Sequence, residues 1–345
     1  MPTLHEAGMD SRRAICHPPL AATPVHAGQG LAQRLWWRWL KRGAGTLIFL
    51  FVGGLLFSQA RHMEWSKVFT SLQNYSLTTA GIALLLAVLS LILYSCFDLL
   101  GRAYTGHKLG TVAVMSATFV SYAFTLTLGS LVGSIATRYR LYSRLGLRPG
   151  VITRIVSLSM LTNWMGYVLL AGLVYSLQPP AMPDNWSITT AQLRFAGFVL
   201  LSASATYLAA CAFLRRRELQ IRGHAVVLPS ARLACLQLLM GAANWLIMSG
   251  IVFVLLQQRI GLAQVAGVLL LAAIAGVIVH IPAGLGVLEA VFVALLSHKL
   301  PVHDLLAALV AYRVVYYLLP LGAAALLYAV MEARAKKLPH DTHTT

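Results

Sequence analysis

The chain has 345 residues, of which 58% are hydrophobic and 11% are charged, so its apolar side chains exceed what one soluble core could bury. This composition excludes an ordinary water-soluble protein and indicates that a lipid bilayer is the solvent. A formal net charge of +17 would suggest nucleic acid as the partner of a soluble protein. Here the basic residues lie in short loops beside apolar runs, so the sequence predicts anionic lipid head groups and no nucleic acid.

Three regions follow one another along the chain. Residues 1–43 form a basic, cytoplasmic N-terminal segment, and its stretch 35–42 mixes Trp with Arg and Lys, as is typical of a segment in the head-group zone. Residues 44–330 form a polytopic membrane domain, and residues 331–345 form a short cytoplasmic tail. The apolar runs, most of them near the roughly 20 residues that span hydrocarbon, are 44–60, 80–100, 112–133, 152–177, 192–214, 234–256, 263–281 and 305–330.

The distribution of basic residues predicts the orientation of these runs. Most of the 27 Lys and Arg residues precede residue 44, follow residue 330, or lie in the loops 101–111, 134–154 and 215–233. The positive-inside rule places these loops and both termini in the cytoplasm.

Two apolar runs conflict with a simple series of crossings, because the loops on either side of each run have the same predicted location. The run 112–133 contains the break Gly129–Gly133, and the run 263–281 is followed by the helix-breaking sequence Pro282–Gly286. We therefore predict an all-α membrane protein with six full transmembrane helices and two re-entrant hairpins that enter from opposite sides in an inverted repeat. Eight plain transmembrane helices are the alternative.

Two charged residues stand in apolar sequence after the second break. Glu289 lies three residues after Gly286, and Arg313 lies about two turns into the last run. A charge in hydrocarbon needs a partner or water, so the two side chains are predicted to pair. The pair could fix the hairpin to the last helix, or it could also contact a transported head group.

An arginine cluster follows the first break. Arg138, Arg140 and Arg144 could line the mouth of the first hairpin, where planar guanidinium groups suit phosphate oxygens. The alternative is that they only set the topology. Asp98, at the end of the second run, is predicted to pair with Arg102 four residues later.

Signatures of catalysis are missing from the sequence. No P-loop, GxSxG or HExxH motif is present, and the four cysteines have no metal-ligand spacing. The expectation is a protein that is not an enzyme, with no catalytic residues, metal or cofactor.

Two segments carry a family resemblance. The first is Ile281–Ala290, with Pro282, Gly284, Gly286 and Glu289, and the second is Ala311–Tyr317, with Arg313. Together they resemble the lysylphosphatidylglycerol synthase transmembrane-region family, and Cys96–Arg102 and Arg138–Leu147 look like its YbhN-type inner-membrane branch. The resemblance implies a bacterial inner-membrane location and movement of lipids across the membrane.

The function expected from these observations is a lipid translocase that moves an anionic phospholipid or related lipid without ATP hydrolysis. Its predicted substrate path consists of Arg138, Arg140, Arg144, Pro282, Gly284, Gly286, Glu289, Tyr312, Arg313, Tyr316 and Tyr317. Two alternatives are an intramembrane transferase with Glu289 as general base and a non-transporting partner of lipid-synthesis enzymes.

Overall fold

The structure is a computed structural model that describes residues 75–183, 188–213, 218–221, 224–227, 229–279 and 284–336, together with Thr70 and Gln73. All described residues belong to one compact unit, within residues 56–345. Its helices are α1 Leu77–Ser95, α2 Phe97–Thr105, α3 Thr111–Leu128, α4 Thr137–Arg144, α5 Pro149–Leu177, α6 Thr190–Phe213, α7 Ala231–Leu255, α8 Leu262–Val279, α9 Val287–Leu296, α10 Val302–Arg313 and α11 Leu319–Lys336. Two π-helical segments, Ser130–Ala136 and Val314–Leu318, precede α4 and α11, and the strands β1 Glu218–Ile221 and β2 His224–Val227 pair antiparallel.

Seven helical stretches of the described residues are long and apolar enough to cross a membrane. They are α1 joined to α2, α3, α5, α6, α7, α8, and α10 joined to α11. The predicted polytopic all-α class is therefore confirmed, with the short ladder of β1 and β2 as an addition that the sequence did not suggest. The predicted first crossing, 44–60, and the basic segment 1–43 lie outside the described residues.

The first predicted hairpin is formed by α3 and the return arm Ser130–Arg144, which together we call hairpin A. The chain reverses at Gly129, whose φ of 83° favours glycine. One turn later, a Cβ added to Gly133 would overlap the backbone of Thr125, so the two arms approach closely. Thr118 of α3 and Tyr142 of the return arm bring their hydroxyls to 3.4 Å, so both arms run back to the same end.

The second predicted hairpin, hairpin B, consists of α8 and α9. Gly284 and Gly286 in its turn have φ values of 56° and 79°, and Pro282 lies outside the described residues. The Nζ of Lys299, just after α9, donates to Oε1 of Gln264 at the start of α8 over 2.8 Å. The chain thus returns to the end from which it entered, as a hairpin does and a plain crossing does not.

The first arms of both hairpins are longer than a re-entrant segment needs, since such a segment enters the membrane only partway. Helices α3 and α8 have 18 residues each, which corresponds to about 27 Å at a rise of about 1.5 Å per residue. Each first arm is therefore long enough to cross hydrocarbon by itself.

The hairpins enter from opposite faces of the domain. Hairpin A begins and ends where α2 ends and α5 begins, because Tyr139 of its return arm contacts Thr153 of α5. We call this end the basic face. Hairpin B begins and ends at the other face, where α7 ends and where Arg259 pairs with Asp304 over 2.9 Å. Helices α1 and α2 connect the two faces, so the arrangement has the opposed entry that an inverted repeat requires.

Glycines allow α5 and α7 to pack closely in the centre of the domain. A Cβ added to Gly166 would overlap backbone atoms of Gly241, and the reverse addition would meet the backbone of Thr162. Tight contacts of this kind replace the hydrophobic driving force that is absent between helices in lipid.

We expect Gly166→Ala to lower the free energy of unfolding by about 1–3 kcal/mol, because the added methyl group forces two backbones apart. Gly150→Ala on the same helix is the matched control, since a Cβ there meets nothing within 4 Å. Thermal unfolding of the two purified variants in detergent measures the difference. Equal transition temperatures would show that α5 and α7 do not depend on this contact.

Candidate functional site

Glu289 and Arg313 form the ion pair that the sequence predicted. Arg313 donates from Nε to Oε1 of Glu289 over 2.6 Å and from Nη2 to Oε2 over 3.1 Å. The side chains are 15% and 21% exposed for Arg313 and Glu289, respectively. This parallel pair of charge-assisted bonds is the strong geometry of an arginine and a carboxylate.

The same pair holds the turn of hairpin B. The backbone N–H of Gly286 donates to Oε2 of Glu289 over 3.0 Å, because Glu289 lies in the first turn of α9. Nη2 of Arg313 also donates to the carbonyl oxygen of Gly284 over 3.1 Å. One guanidinium of α10 therefore binds both the turn and the second arm of the hairpin.

The π-helical segment after Arg313 brings three tyrosines together. Arg313 lies over the ring of Tyr317 at 5.5 Å, and the rings of Tyr312 and Tyr316 stack at 5.4 Å. A π-helix widens one turn, which changes the directions of the side chains that follow it. The predicted residues Gly284, Gly286, Glu289, Arg313 and the three tyrosines are thus grouped around hairpin B.

Tyr316 connects this group to a buried network of neutral polar side chains. Its hydroxyl lies 2.7 Å from Oγ of Ser90 on α1 and 2.9 Å from the hydroxyl of Tyr122 on hairpin A. Ser90 also donates to Oδ1 of Asn244 on α7 over 2.7 Å. Ser90, Tyr122, Asn244 and Tyr316, which we call the hydroxyl network, join four parts of the fold inside the apolar domain.

Two hydroxyls close to this network have no hydrogen-bond partner among the described residues. Tyr312 is 1% exposed and Ser121 is fully buried, and neither oxygen finds a donor or acceptor there. An unsatisfied buried polar group costs about 1–3 kcal/mol. A water molecule or a polar ligand group would remove that cost.

Arg138 occupies a different place from the one suggested by its sequence position. Its side chain is fully buried, and it pairs with Asp98 of α2 through Nε to Oδ2 at 2.9 Å and Nη2 to Oδ1 at 3.3 Å. Ser134, Ser159 and Tyr142 complete the cluster, since the two serines accept from Arg138 and Tyr142 donates to Asp98. The guanidinium is held by protein groups inside the fold and does not line an open mouth.

This cluster also corrects the predicted pairing of Asp98 with Arg102. Arg102 instead donates to the carbonyl oxygen of Leu109 over 3.2 Å and to Thr111 over 3.0 Å. The carboxylate faces the interior, where Arg138 supplies a better partner than a side chain on the same helix does.

Arg140 and Arg144 are exposed near the end of hairpin A at the basic face. Arg140 lies over the ring of Tyr328 on α11 at 5.7 Å. The structure therefore divides the predicted arginines into one buried ion pair and two surface cations. The group around Arg138 has its own partners and is a site separate from the Glu289 group.

The two ion pairs have opposite polarity. The second arm of hairpin A carries the arginine and α2 carries the carboxylate, whereas the second arm of hairpin B carries the carboxylate and α10 carries the arginine. Over the part of the chain that the structure describes, no three His, Cys, Asp or Glu side chains are grouped so that they could hold a metal ion.

Comparison with known proteins places the sequence among membrane proteins. Residues 44–324 match the family described as "Lysylphosphatidylglycerol synthase TM region". The chain is 46% identical over 303 residues to "Inner membrane protein YbhN" of Escherichia coli (strain K12), covering 88% of this chain and 95% of that protein. It is 30% identical over 291 residues to an uncharacterized protein of Synechocystis sp., covering 84% and 90%.

Proposed function

The chain belongs to the lysylphosphatidylglycerol synthase transmembrane-region family and is a multi-pass inner-membrane protein, and from this premise we propose that it translocates lipid. The substrate is an anionic phospholipid or a related lipid, and no ATP is hydrolysed. By the positive-inside rule, the basic face and both termini are cytoplasmic. Enzymes that make or consume the lipid are the proposed partners.

The hydroxyl network between the two hairpins is the observation that carries this proposal. It provides hydrogen-bonding groups deep inside an apolar domain. Without them, a lipid head group that enters the domain would lose its hydrogen bonds to water and gain none in return. Tyr122 belongs to hairpin A, and Tyr316 follows Arg313, which holds hairpin B. Movement of either hairpin would therefore open or close the polar region from one face.

Glu289 favours this transport function over the transferase alternative. Both carboxylate oxygens already accept hydrogen bonds, from Arg313 and from the N–H of Gly286. A general base needs a lone pair directed at a substrate proton. The Glu289 carboxylate is instead directed at the Arg313 guanidinium and at the turn of hairpin B, which is the geometry of a structural anchor.

The test is a reconstituted-vesicle assay that follows fluorescent phosphatidylglycerol and phosphatidylcholine across the bilayer, with leakage monitored in parallel. We expect the wild-type protein to accelerate phosphatidylglycerol movement. Tyr316→Phe should slow it by roughly tenfold, which corresponds to about 1.4 kcal/mol for lost hydrogen bonds at the barrier.

Tyr75→Phe is the matched control, because the Tyr75 hydroxyl donates to the carbonyl oxygen of Leu255 at the face opposite the basic one, away from the hydroxyl network. It should move lipid at the wild-type rate. If the wild-type protein accelerates neither lipid in sealed vesicles, translocation is excluded for these substrates and the transferase or partner function takes its place.

A further inference from the structure

An apolar groove with a cavity volume of about 460 Å³ runs between α1, hairpin A and the last crossing, by which we mean the continuous helical stretch of α10 and α11. The residues on its walls are nearly all apolar and include Leu84, Leu91, Phe119, Leu319, Ala323 and Leu327. The volume lies within the range of about 300–1,000 Å³ that is typical of small-molecule sites. All three walls belong to helices that are long and apolar enough to cross a membrane, so in a bilayer the groove would lie among the lipid chains.

The groove is long and lies along the helices. On α1 its wall extends from Leu84 to Ser95, twelve residues that cover about 16 Å at a rise of about 1.5 Å per residue. On the last crossing it extends from Val315 to Leu327, again over about three turns. A narrow slot of this length suits one extended hydrocarbon chain and is too small for an additional helix.

Side chains beside the groove are open to the surrounding bilayer among the described residues. Leu85 is 67% exposed on α1, and Leu326 is 72% exposed on α11. An acyl chain can therefore enter laterally from the lipid phase without crossing a polar barrier. The same exposure would be unfavourable in water, where large apolar patches associate.

A cation lies close to one end of the groove. Leu327 forms that end, and the ring of its neighbour Tyr328 lies under the exposed guanidinium of Arg140 at 5.7 Å. Both α1 and α11 run toward the basic face, so this is also the end closest to the head groups of that leaflet. Arginine is well suited to phosphate oxygens because its donors form paired bonds.

The opposite end of the groove approaches the hydroxyl network. Val315 of the wall precedes Tyr316 directly, and Phe119 lies one helical turn before Tyr122 on α3. A lipid seated in the groove therefore has its head group at the basic face and its chain end next to the neutral polar groups inside the domain.

We infer that this groove binds one acyl chain of a phospholipid from the leaflet at the basic face, with its anionic head group beside Arg140. The inference rests on the proposed lipid translocation and assigns it an entry site. It gives the protein a hydrophobic contact that any diacyl lipid can make and a charge contact that selects anionic ones.

The test uses the full-length protein in vesicles that contain phosphatidylglycerol with a photoactivatable diazirine near the middle of one acyl chain. After illumination, peptides are mapped by mass spectrometry. We expect adducts to concentrate on groove residues of α1, α3 and α11. Ala323→Trp, which fills the groove from an exposed position, should reduce them by roughly tenfold, the ratio that corresponds to about 1.4 kcal/mol of binding free energy.

Matched control variants show whether adduct formation depends on the groove itself or on the exposed surface around it. Ala325→Trp places the same indole on the same exposed helix outside the groove and should leave the adducts unchanged. Arg140→Gln should reduce adducts from phosphatidylglycerol but not those from a phosphatidylcholine probe. Arg148→Gln, exposed at the same face, should change neither.

Two results would overturn the inference. Adducts spread evenly over lipid-facing helices such as α6, and insensitive to Ala323→Trp, would indicate ordinary boundary lipid. Absence of groove adducts from both probes would mean that no phospholipid acyl chain occupies the groove. Specific adducts in a protein that moves no lipid in vesicles would uphold this site and reject translocation instead.

Discussion

Asp98→Asn is expected to lower the free energy of unfolding by about 3–5 kcal/mol, because it leaves the Arg138 guanidinium buried without a counter-charge. Both side chains are fully buried, so water cannot replace the lost carboxylate. Ser134 and Ser159 would still accept from Arg138, but neutral oxygens compensate a charge only in part. Chemical or thermal unfolding in detergent measures the change.

The control is an ion pair on the surface. Asp304→Asn breaks the pair with Arg259, whose side chain is 42% exposed, and should cost no more than about 1 kcal/mol. The double variant Asp98→Leu, Arg138→Met removes both charges and should recover most of the lost stability. A single Asp98 variant as stable as the wild type would show that Arg138 finds solvent or another partner.

Arg313→Gln is expected to have the second large effect, because it releases the turn of hairpin B as well as the Glu289 carboxylate. The substitution removes two bonds to Glu289 and one to the carbonyl oxygen of Gly284. We expect a loss of stability of about 3 kcal/mol. This value is at the lower end of the range for breaking a buried ion pair, because both side chains are partly exposed. Lipid movement in vesicles should be abolished in protein that remains folded.

Two further variants distinguish anchoring from direct contact with lipid. The double variant Glu289→Gln, Arg313→Gln removes both charges and should restore folding, since no unpaired charge remains. If the pair only anchors the hairpin, lipid movement returns with stability. If the guanidinium binds a passing head group, movement stays absent, and Arg259→Gln at the surface should behave like the wild type in both assays.

The sequence was sufficient to predict the hairpin at Gly284 and Gly286 and its ion pair. Helix-breaking residues followed an apolar run, and only a few charged residues stood in hydrocarbon nearby, so Glu289 and Arg313 had few alternative partners. Loop charges on the same side predicted the reversal at Gly129 for a similar reason. A membrane allows fewer arrangements of helix breaks and charged side chains than water does.

The partner of Arg138 could not be predicted in this way. Asp98 lies 40 positions earlier, and the local rule offered Arg102 four residues away as a simpler choice. Tertiary burial decided the pairing, because the carboxylate points into the domain and cannot use a partner near the surface. The spacing of residues along one helix does not show which way the Asp98 side chain points when several neighbouring helices could offer it a partner.

The hydroxyl network was missed for another reason. Ser90 and Tyr122 are ordinary residues in apolar runs, and only the π-helix at Val314–Leu318 brings Tyr316 between them. Asn244 was noticeable as an amide in a membrane span, yet its partner on α1 had no distinguishing pattern. A rare helix type that redirects one side chain leaves no periodic signal in the sequence.

The opposite polarity of the two ion pairs has an electrical consequence. Each closed pair is neutral, so the transmembrane potential exerts no net force on it. Withdrawal of hairpin A would carry the Arg138 charge toward the basic face, and withdrawal of hairpin B would carry the Glu289 charge toward the other face. Both displacements are electrically equivalent to positive charge moving toward the basic face. The electrical work is about 2.3 kcal/mol for each unit charge that crosses a potential of 100 mV. If the basic face is cytoplasmic, an inside-negative potential favours withdrawal of both hairpins together.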